Sequence, residues 1–180
     1  MNNLFYLTSD DFFLENGTKG KLLCMDAKGL VLVCFHANAD KCTHCEETLP
    51  HFKRLPQSVG NCKFALVNLN TNPDIVKMSK MTVAPIEYVP FIVLYVNGRP
   101  FLKYEGERTT TELKNFIQEV VQKLQTKQSF IENKNYKIES EIPAYTIGIP
   151  YSVVCDEDKG VCYLNYDQAY GGGGKQPKRN

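Results

Sequence analysis

The stretch "ADKCTHCEETLP", residues 39–50, holds the side chains best placed for chemistry, because Cys42 and Cys45 are separated by only two residues. If a helix starts here, the pair shares one helical face, and Cys45 can attack a mixed disulfide formed at Cys42. Free N–H groups and the positive end of the helix dipole would lower the pKa of Cys42 and favour its nucleophilic thiolate. Lys41 and His44 would add positive or proton-donating character. The spacing alone also permits half of a zinc site or two core thiols.

Composition narrows the possible classes of protein. The chain has 180 residues and is 43% hydrophobic, which is enough for one domain with a core that needs no disulfides. A net charge of +1 argues against nucleic-acid or membrane-surface binding. The first residues lack the pattern of a signal peptide, and the apolar runs are too short to span a bilayer. We therefore expect a soluble, cytoplasmic protein without nucleic-acid or membrane partners. In that reducing compartment, a C-x-x-C pair is typical of catalysis or metal binding.

The hydrophobic pattern predicts alternating strands and helices. A strand at 3–7 and a helix at 8–17 come first, followed by a buried strand at 29–35 and a helix at 42–55 with Leu49, Phe52 and Leu55 on one face. The remaining predicted elements are a strand at 63–69, a short helix at 74–81, two strands at 90–96 and 99–106 joined by Asn97-Gly98, and an amphipathic helix at 109–124. This order predicts an α/β fold.

The last third of the chain differs in composition. Residues 126–141 are polar and predict a linker, whereas residues 142–170 are apolar, tyrosine-rich and predict a β-hairpin around "DEDKG". Cys155 and Cys162 flank that turn and would face each other across the hairpin. They would then form a second redox pair or a relay to Cys42–Cys45, unless they are two isolated thiols. Residues 171–180, "GGGGKQPKRN", predict a flexible basic tail.

Further features have the order and spacing of a known family. Pro50 follows Cys45 by five residues, "YVPFIVLYVNG" places Val89-Pro90 at the start of a strand, and Gly98 and Gly106 follow Pro90 at intervals of eight. "KYEGERTTTELKNFI" is similar to the last strand and helix of protein disulfide isomerase domains. Over residues 1–125 the chain resembles the thioredoxin family. The resemblance implies the thioredoxin fold, a central mixed β-sheet flanked by helices, with a C-terminal extension.

The resemblance also implies an activity. The chain would be a protein disulfide oxidoreductase in which Cys42 is the attacking thiolate and Cys45 the resolving thiol, with no cofactor. Val89, held by a cis bond to Pro90, would pair with a substrate peptide as an added strand. Its partners would be protein thiols and disulfides. A histidine before the second cysteine occurs in the more oxidising relatives, so we expect a reduction potential above that of a typical thioredoxin.

The sequence departs from the family at positions that tune the active site. Cys34 stands where thioredoxins keep a buried acid, Val67 where a lysine is common, and Lys41 where a tryptophan is usual. The loop "HANADK" is about two residues longer than the common pattern. We therefore expect Lys41, His44 and Cys34 to modify the reactivity of the pair.

Other interpretations of the same residues remain open. The fold could serve as a structural or interaction module in which residues 142–170 contact a partner protein. The composition loosely resembles thioredoxin-like proteins of large DNA viruses, and such a protein could be packaged in a virus particle. A zinc site would need two further ligands, for which Cys155 and Cys162 are loosely spaced, so we expect no metal. Structural roles are expected for Cys24, Cys34 and Cys62, and His36 and His51 are expected to be surface or packing residues and not ligands.

Overall fold

The computed structural model describes residues 3–133, 147–150 and 162–163. Its strands are β1 (Leu4–Tyr6), β2 (Phe12–Asn16), β3 (Lys21–Met25), β4 (Leu30–His36), β5 (Lys63–Asn68), β6 (Tyr88–Val89), β7 (Phe91–Val96), β8 (Arg99–Tyr104), β9 (Gly148–Pro150) and β10 (Cys162–Tyr163). Its helices are α1 (Thr43–Ser58), α2 (Pro73–Ser79) and α3 (Thr110–Asn133), and a single 3-10 turn covers Ser9–Asp11.

A mixed six-stranded sheet forms the centre of the molecule, with strand order β1-β5-β4-β7-β8-β9. Strands β1, β5 and β4 run parallel, whereas β4, β7, β8 and β9 pair antiparallel. Asn97 and Gly98 both have positive φ, as a two-residue hairpin between β7 and β8 requires. The α/β class and the central mixed sheet predicted from the sequence are confirmed.

Each face of the sheet carries its own hydrophobic cluster. Val33 and Phe35 of β4 belong to a first cluster, which also contains α2 residues, Cys42 and Cys45. Leu32 and Cys34 belong to a second cluster, formed with the apolar sides of α1 and α3. Because both faces are covered, β4 is apolar at nearly every position, as expected for a central strand. None of the helices in the described part of the chain is long and apolar enough to cross a membrane.

The helix predicted at residues 8–17 is wrong. The Asp11 carboxylate accepts a hydrogen bond from the Thr8 amide at 2.8 Å, but this local capping interaction supports only the 3-10 turn. The chain then enters β2, which pairs antiparallel with the unpredicted strand β3. The capping signal spans four residues, whereas Phe12 gains its burial from distant residues, packing its ring 5.7 Å from that of Phe35. The contact between Phe12 and Phe35 therefore favours a strand over the predicted helix at this position.

The boundary predicted near residue 125 also needs correction. Helix α3 continues to Asn133, so the predicted linker 126–141 begins as part of this helix and not as irregular chain. In the predicted extension, β9 adds to β8 as the sixth strand and β10 pairs with β6. Residues 134–146, 151–161 and 164–180 lie outside the described residues. The hairpin turn, Cys155 and the basic tail are among them and stay predictions.

Substituting the adjacent phenylalanines Phe12 and Phe13 tests the strand assignment at β2. Phe12 is 5% exposed in the first cluster and Phe13 is 45% exposed. We expect Phe12→Ala to lower the free energy of unfolding by about 3 kcal/mol, because it empties a packed aromatic site. Phe13→Ala should cost under about 1 kcal/mol. Chemical denaturation monitored by circular dichroism measures both, and equal losses would contradict the alternation of a strand.

Candidate disulfide redox site

Cys42 is the N-cap of α1, as the sequence pattern predicts for a helix that starts at the pair. Its backbone is extended, with φ −150° and ψ 97°, and its Sγ accepts a hydrogen bond from the Cys45 amide at 3.0 Å. The Cys42 carbonyl accepts the first helical hydrogen bond, from the Glu46 amide at 3.1 Å. A capping sulfur at this position lies against free N–H groups and the positive end of a 16-residue helix. A helix N-terminus is an environment that generally favours the thiolate of a reduced cysteine.

Cys42 and Cys45 are linked as a disulfide with Cα atoms 5.2 Å apart. The Cys45 side chain is completely buried, and Cys42 is only 2% exposed. The Ala37 amide lies 3.5 Å from the Cys45 sulfur in donor geometry, so the chain leaving β4 also supports the inner sulfur. Cys45 is therefore enclosed in the first cluster. The Cys42 sulfur is the one that faces the neighbouring strand β6.

The loop between β4 and α1 is held by a set of asparagines that the sequence analysis missed. The Asn38 amide donates to the Asn70 side chain at 2.7 Å, and the Asn68 side chain donates to that of Asn38 at 2.8 Å. These contacts join the loop to the end of the parallel neighbour β5. The sequence could have predicted this contact, because these asparagines follow two adjacent parallel strands and the carboxyl ends of such strands lie at one edge of a sheet. The longer loop "HANADK" is therefore fastened to the sheet.

The strand β6 lies beside the disulfide. The Cys42 Sγ is 3.9 Å from the carbonyl oxygen of Val89, and the Val89–Pro90 peptide bond is cis. The main chain of β6 thus runs past the outer sulfur, where the resemblance implied that a peptide would pair. In the structure, β10 pairs antiparallel with β6, with Cys162 opposite Val89 and Tyr163 opposite Tyr88.

A buried lysine lies against the Tyr88 side chain of β6, and nothing in the sequence pattern indicated this contact. Lys103 is 2% exposed and its ammonium forms an ion pair with Glu105 at 2.5 Å. The ammonium also lies 4.6 Å from the centre of the Tyr88 ring and 5.3 Å from that of Phe91. The Tyr88 hydroxyl donates to the same Glu105 carboxylate at 3.1 Å. The Glu105 carboxylate and the two aromatic rings therefore surround the ammonium.

Cys34 lies in a different environment from the disulfide. It is fully buried in the second cluster, whereas the disulfide belongs to the first. Burial raises the pKa of the Cys34 thiol to about 12, and the nearby charge of Arg108 only partly opposes this shift. Cys34 is therefore neutral at physiological pH and offers no carboxylate-like base. Val67, at the position where a lysine is common, is completely buried in the first cluster.

The other residues predicted to tune the site lie near the start of α1. Lys41 is exposed, and the half-exposed His44 has its ring nitrogen 3.8 Å from the Glu47 carboxylate. His36 and His51 are half-buried; burial lowers the pKa of His36, and His51 contacts the Thr110 hydroxyl at 3.3 Å. The described residues contain no cluster of three or more histidine, cysteine or acidic side chains able to hold a metal ion.

Comparison with known proteins identifies the family. The family model for thioredoxin matches residues 20–119, more than half of the chain. The chain belongs to the thioredoxin family. The fold described above is accordingly the thioredoxin fold, as the resemblance implied.

Two viral proteins are related to this thioredoxin-family chain along most of its length. Uncharacterized protein 196R of Invertebrate iridescent virus 6 is 36% identical over 141 residues, which cover 78% of this chain and 74% of the relative. Uncharacterized protein 020R of Invertebrate iridescent virus 3 is 36% identical over 173 residues, covering 93% and 96%. The predicted likeness to proteins of large DNA viruses is confirmed.

Solved structures of human ERp44 are also similar. The zinc-bound form has a TM-score of 0.49 and 20% identity, and the match covers 64% of this chain and 30% of that one. Form I has a TM-score of 0.45 and 22% identity, with 52% and 25% covered. The chain therefore spans about a third or less of the length of these ERp44 chains.

Alkylation rates of the reduced protein test the contrast between the cysteines. Burial raises the pKa of Cys34 and of Cys62 to about 12, so at pH 8 only about one molecule in ten thousand carries either thiolate. Cys42 has the helix N-terminus to stabilise its thiolate. We expect iodoacetamide to label Cys42 at least ten times faster than Cys34 or Cys62, measured by mass spectrometry of time-quenched peptides. Labelling at equal rates would mean that the N-cap position does not activate Cys42.

Proposed function

We propose that this thioredoxin-family protein is a thiol–disulfide oxidoreductase that acts on disulfides of other proteins. The observation that carries the proposal is the position of Cys42, whose sulfur caps α1, is bonded to Cys45 and lies 3.9 Å from the Val89 carbonyl. In the reducing direction, the Cys42 thiolate attacks a substrate disulfide and releases one substrate sulfur as a thiolate. Cys45 then attacks Cys42 and releases the second sulfur, which leaves the protein oxidised. The reverse sequence oxidises a substrate dithiol.

The substrate class follows from the main chain of β6. A short strand beside a reactive sulfur suits an extended peptide, which adds by backbone hydrogen bonds and needs little side-chain recognition. Lys103 lies against the Tyr88 ring and the Tyr88 hydroxyl donates to Glu105, so side-chain contacts hold this strand in place. The substrates are therefore extended or locally unfolded segments that contain a cysteine, and the protein would act on them in the cytoplasm.

In the second step of the cycle, Cys34 stands at the position where the family keeps its buried acid. The neutral thiol of Cys34 replaces the family's acid and cannot take a proton from Cys45 at physiological pH. A slower attack by Cys45 follows, since only its thiolate is a nucleophile. Mixed disulfides at Cys42 should consequently persist longer than in family members that keep the acid.

One observation favours a second candidate function. Strand β10 of the extension pairs with β6, the same strand that a substrate peptide would use. If β10 stayed paired with β6, a substrate peptide could not bind there and redox turnover would be low. The protein would then serve as an interaction module, which could be a component of a virus particle. The two candidates differ in whether the Cys42–Cys45 pair cycles.

Turnover of a protein disulfide separates the two candidates. Cys42→Ser should abolish reduction of insulin disulfides by dithiothreitol-driven turnover, because the attacking sulfur is lost. Cys45→Ser should lower the turnover rate, because the thiol of α1 that resolves the mixed disulfide at Cys42 is lost. Cys62→Ala, a buried cysteine in the second cluster, serves as the matched control and should keep the wild-type rate. Wild-type turnover no faster than that of Cys42→Ser would favour the interaction module.

His44 provides a test of the redox potential. A cationic or proton-donating side chain near the helix start stabilises the reduced thiolate, which makes the disulfide more oxidising. We expect a potential above the value of about −270 mV typical of thioredoxin, and a more negative value in His44→Ala. Equilibration with glutathione buffers measures both. His51→Ala, two turns further along α1, should leave the potential unchanged, and an equal shift in both variants would exclude a specific effect of His44.

A further inference from the structure

The extension reaches the redox site through its backbone. Strand β10 pairs antiparallel with β6, and the register places Cys162 directly opposite Val89. Directly opposed residues in an antiparallel pair have Cα atoms about 4.5 or 5.5 Å apart. The carbonyl oxygen of Val89 lies 3.9 Å from the Cys42 sulfur. Val89 therefore lies between the backbone of Cys162 and the Cys42 sulfur.

The extension occupies this edge in the way a substrate would. A peptide that adds to β6 takes the register position now held by Cys162, and a substrate cysteine has to reach the same sulfur. The outer sulfur residue Cys42 is only 2% exposed in this arrangement. An external peptide must therefore compete with a strand of the same chain, which is present at the high effective concentration of a tethered ligand.

We propose that Cys162 is an intramolecular substrate thiol of the Cys42–Cys45 disulfide, and this inference rests on the proposed function. The Cys162 thiolate attacks the Cys42 sulfur, the Cys42–Cys45 bond breaks, and Cys45 leaves with the bonding electron pair as a thiolate. A Cys42–Cys162 disulfide replaces the original one, and the number of disulfides is unchanged, so no outside oxidant or reductant is needed. Attack by Cys45 on Cys42 reverses the step.

The other cysteines of the described residues are poorly placed for this role. Cys24, Cys34 and Cys62 are buried, and burial raises the pKa of each thiol, to about 11 for Cys24 and about 12 for the others. Cys45 is fully enclosed, so the incoming thiolate meets Cys42 first. This assignment differs from the Cys155–Cys162 pair that the sequence pattern suggests, because it joins Cys162 to the helix N-cap.

The test uses the full-length Cys45→Ser variant, in which Cys42 has no internal partner within α1. Oxidised glutathione converts Cys42 to its glutathione mixed disulfide. Attack by Cys162 on Cys42 then expels glutathione and leaves a Cys42–Cys162 crosslink. Trypsin separates the peptides that carry Cys42, Cys155 and Cys162, because Lys53 and Lys159 lie between them. Mass spectrometry without reduction therefore identifies the crosslink, which should exceed any Cys42–Cys155 product at least ten-fold.

Two double variants complete the test. Cys45→Ser/Cys162→Ser should keep glutathione on Cys42, and Cys45→Ser/Cys155→Ser should still form the crosslink. Glutathione retained on Cys42 in the single variant, or a crosslink that depends on Cys155, overturns this inference and leaves the proposed function standing. Failure of Cys42 to accept glutathione at all overturns both.

Discussion

The hydrogen bond from the Cys45 amide to the Cys42 sulfur is the interaction on which the site depends. It exists because α1 begins at Cys42, and α1 begins there because its later turns are fixed in the core. Phe52 and Leu55 are completely buried between the sheet and α3, which sets the position of the helix axis. At the other end of the loop, β4 is paired on both sides, with β5 and β7. The reactive sulfur is thus placed by two rigid elements, and the loop between them only closes the gap.

The second requirement is a strand beside the sulfur, and the described structure meets it with few residues. The two-residue strand β6 precedes β7, and its Val89 carbonyl lies 3.9 Å from the Cys42 sulfur. Under the proposed function, a peptide recognised by its backbone would be selected by its accessibility. The described extension strand β10 makes this edge a point of competition, since one strand can have only one new neighbour on that side. Under the proposed function, redox chemistry and peptide binding would use the same hydrogen-bonding edge.

The sequence was sufficient for features that depend on short-range patterns. The apolar run at 29–35 and the amphipathic helices were predicted because burial on both faces or on one stripe leaves a direct periodic signal. Cys42 at the helix start was predicted because the spacing of the pair and Pro50 are local. The helix predicted at 8–17 failed because its capping signal was real but short, whereas Phe12 is buried by contacts with Phe35 and Tyr95 far along the chain. The Asn38–Asn70 bond, the Lys103 environment and the β6–β10 pairing depend on distant partners, and local patterns do not contain them.

Lys103 and Glu105 limit how this chain can change over time. Removing Glu105 would leave the 2%-exposed ammonium without its counter-charge, although two aromatic rings would remain beside it. An unpaired buried charge of that kind is strongly destabilising. Removing Lys103 would leave Glu105, whose side chain is 26% exposed, with water as a replacement partner. The two losses are therefore unequal. A lineage that replaces this ion pair with an apolar contact loses less stability if Lys103 is substituted before Glu105. In the opposite order, the intermediate protein carries an unpaired buried charge and is unstable.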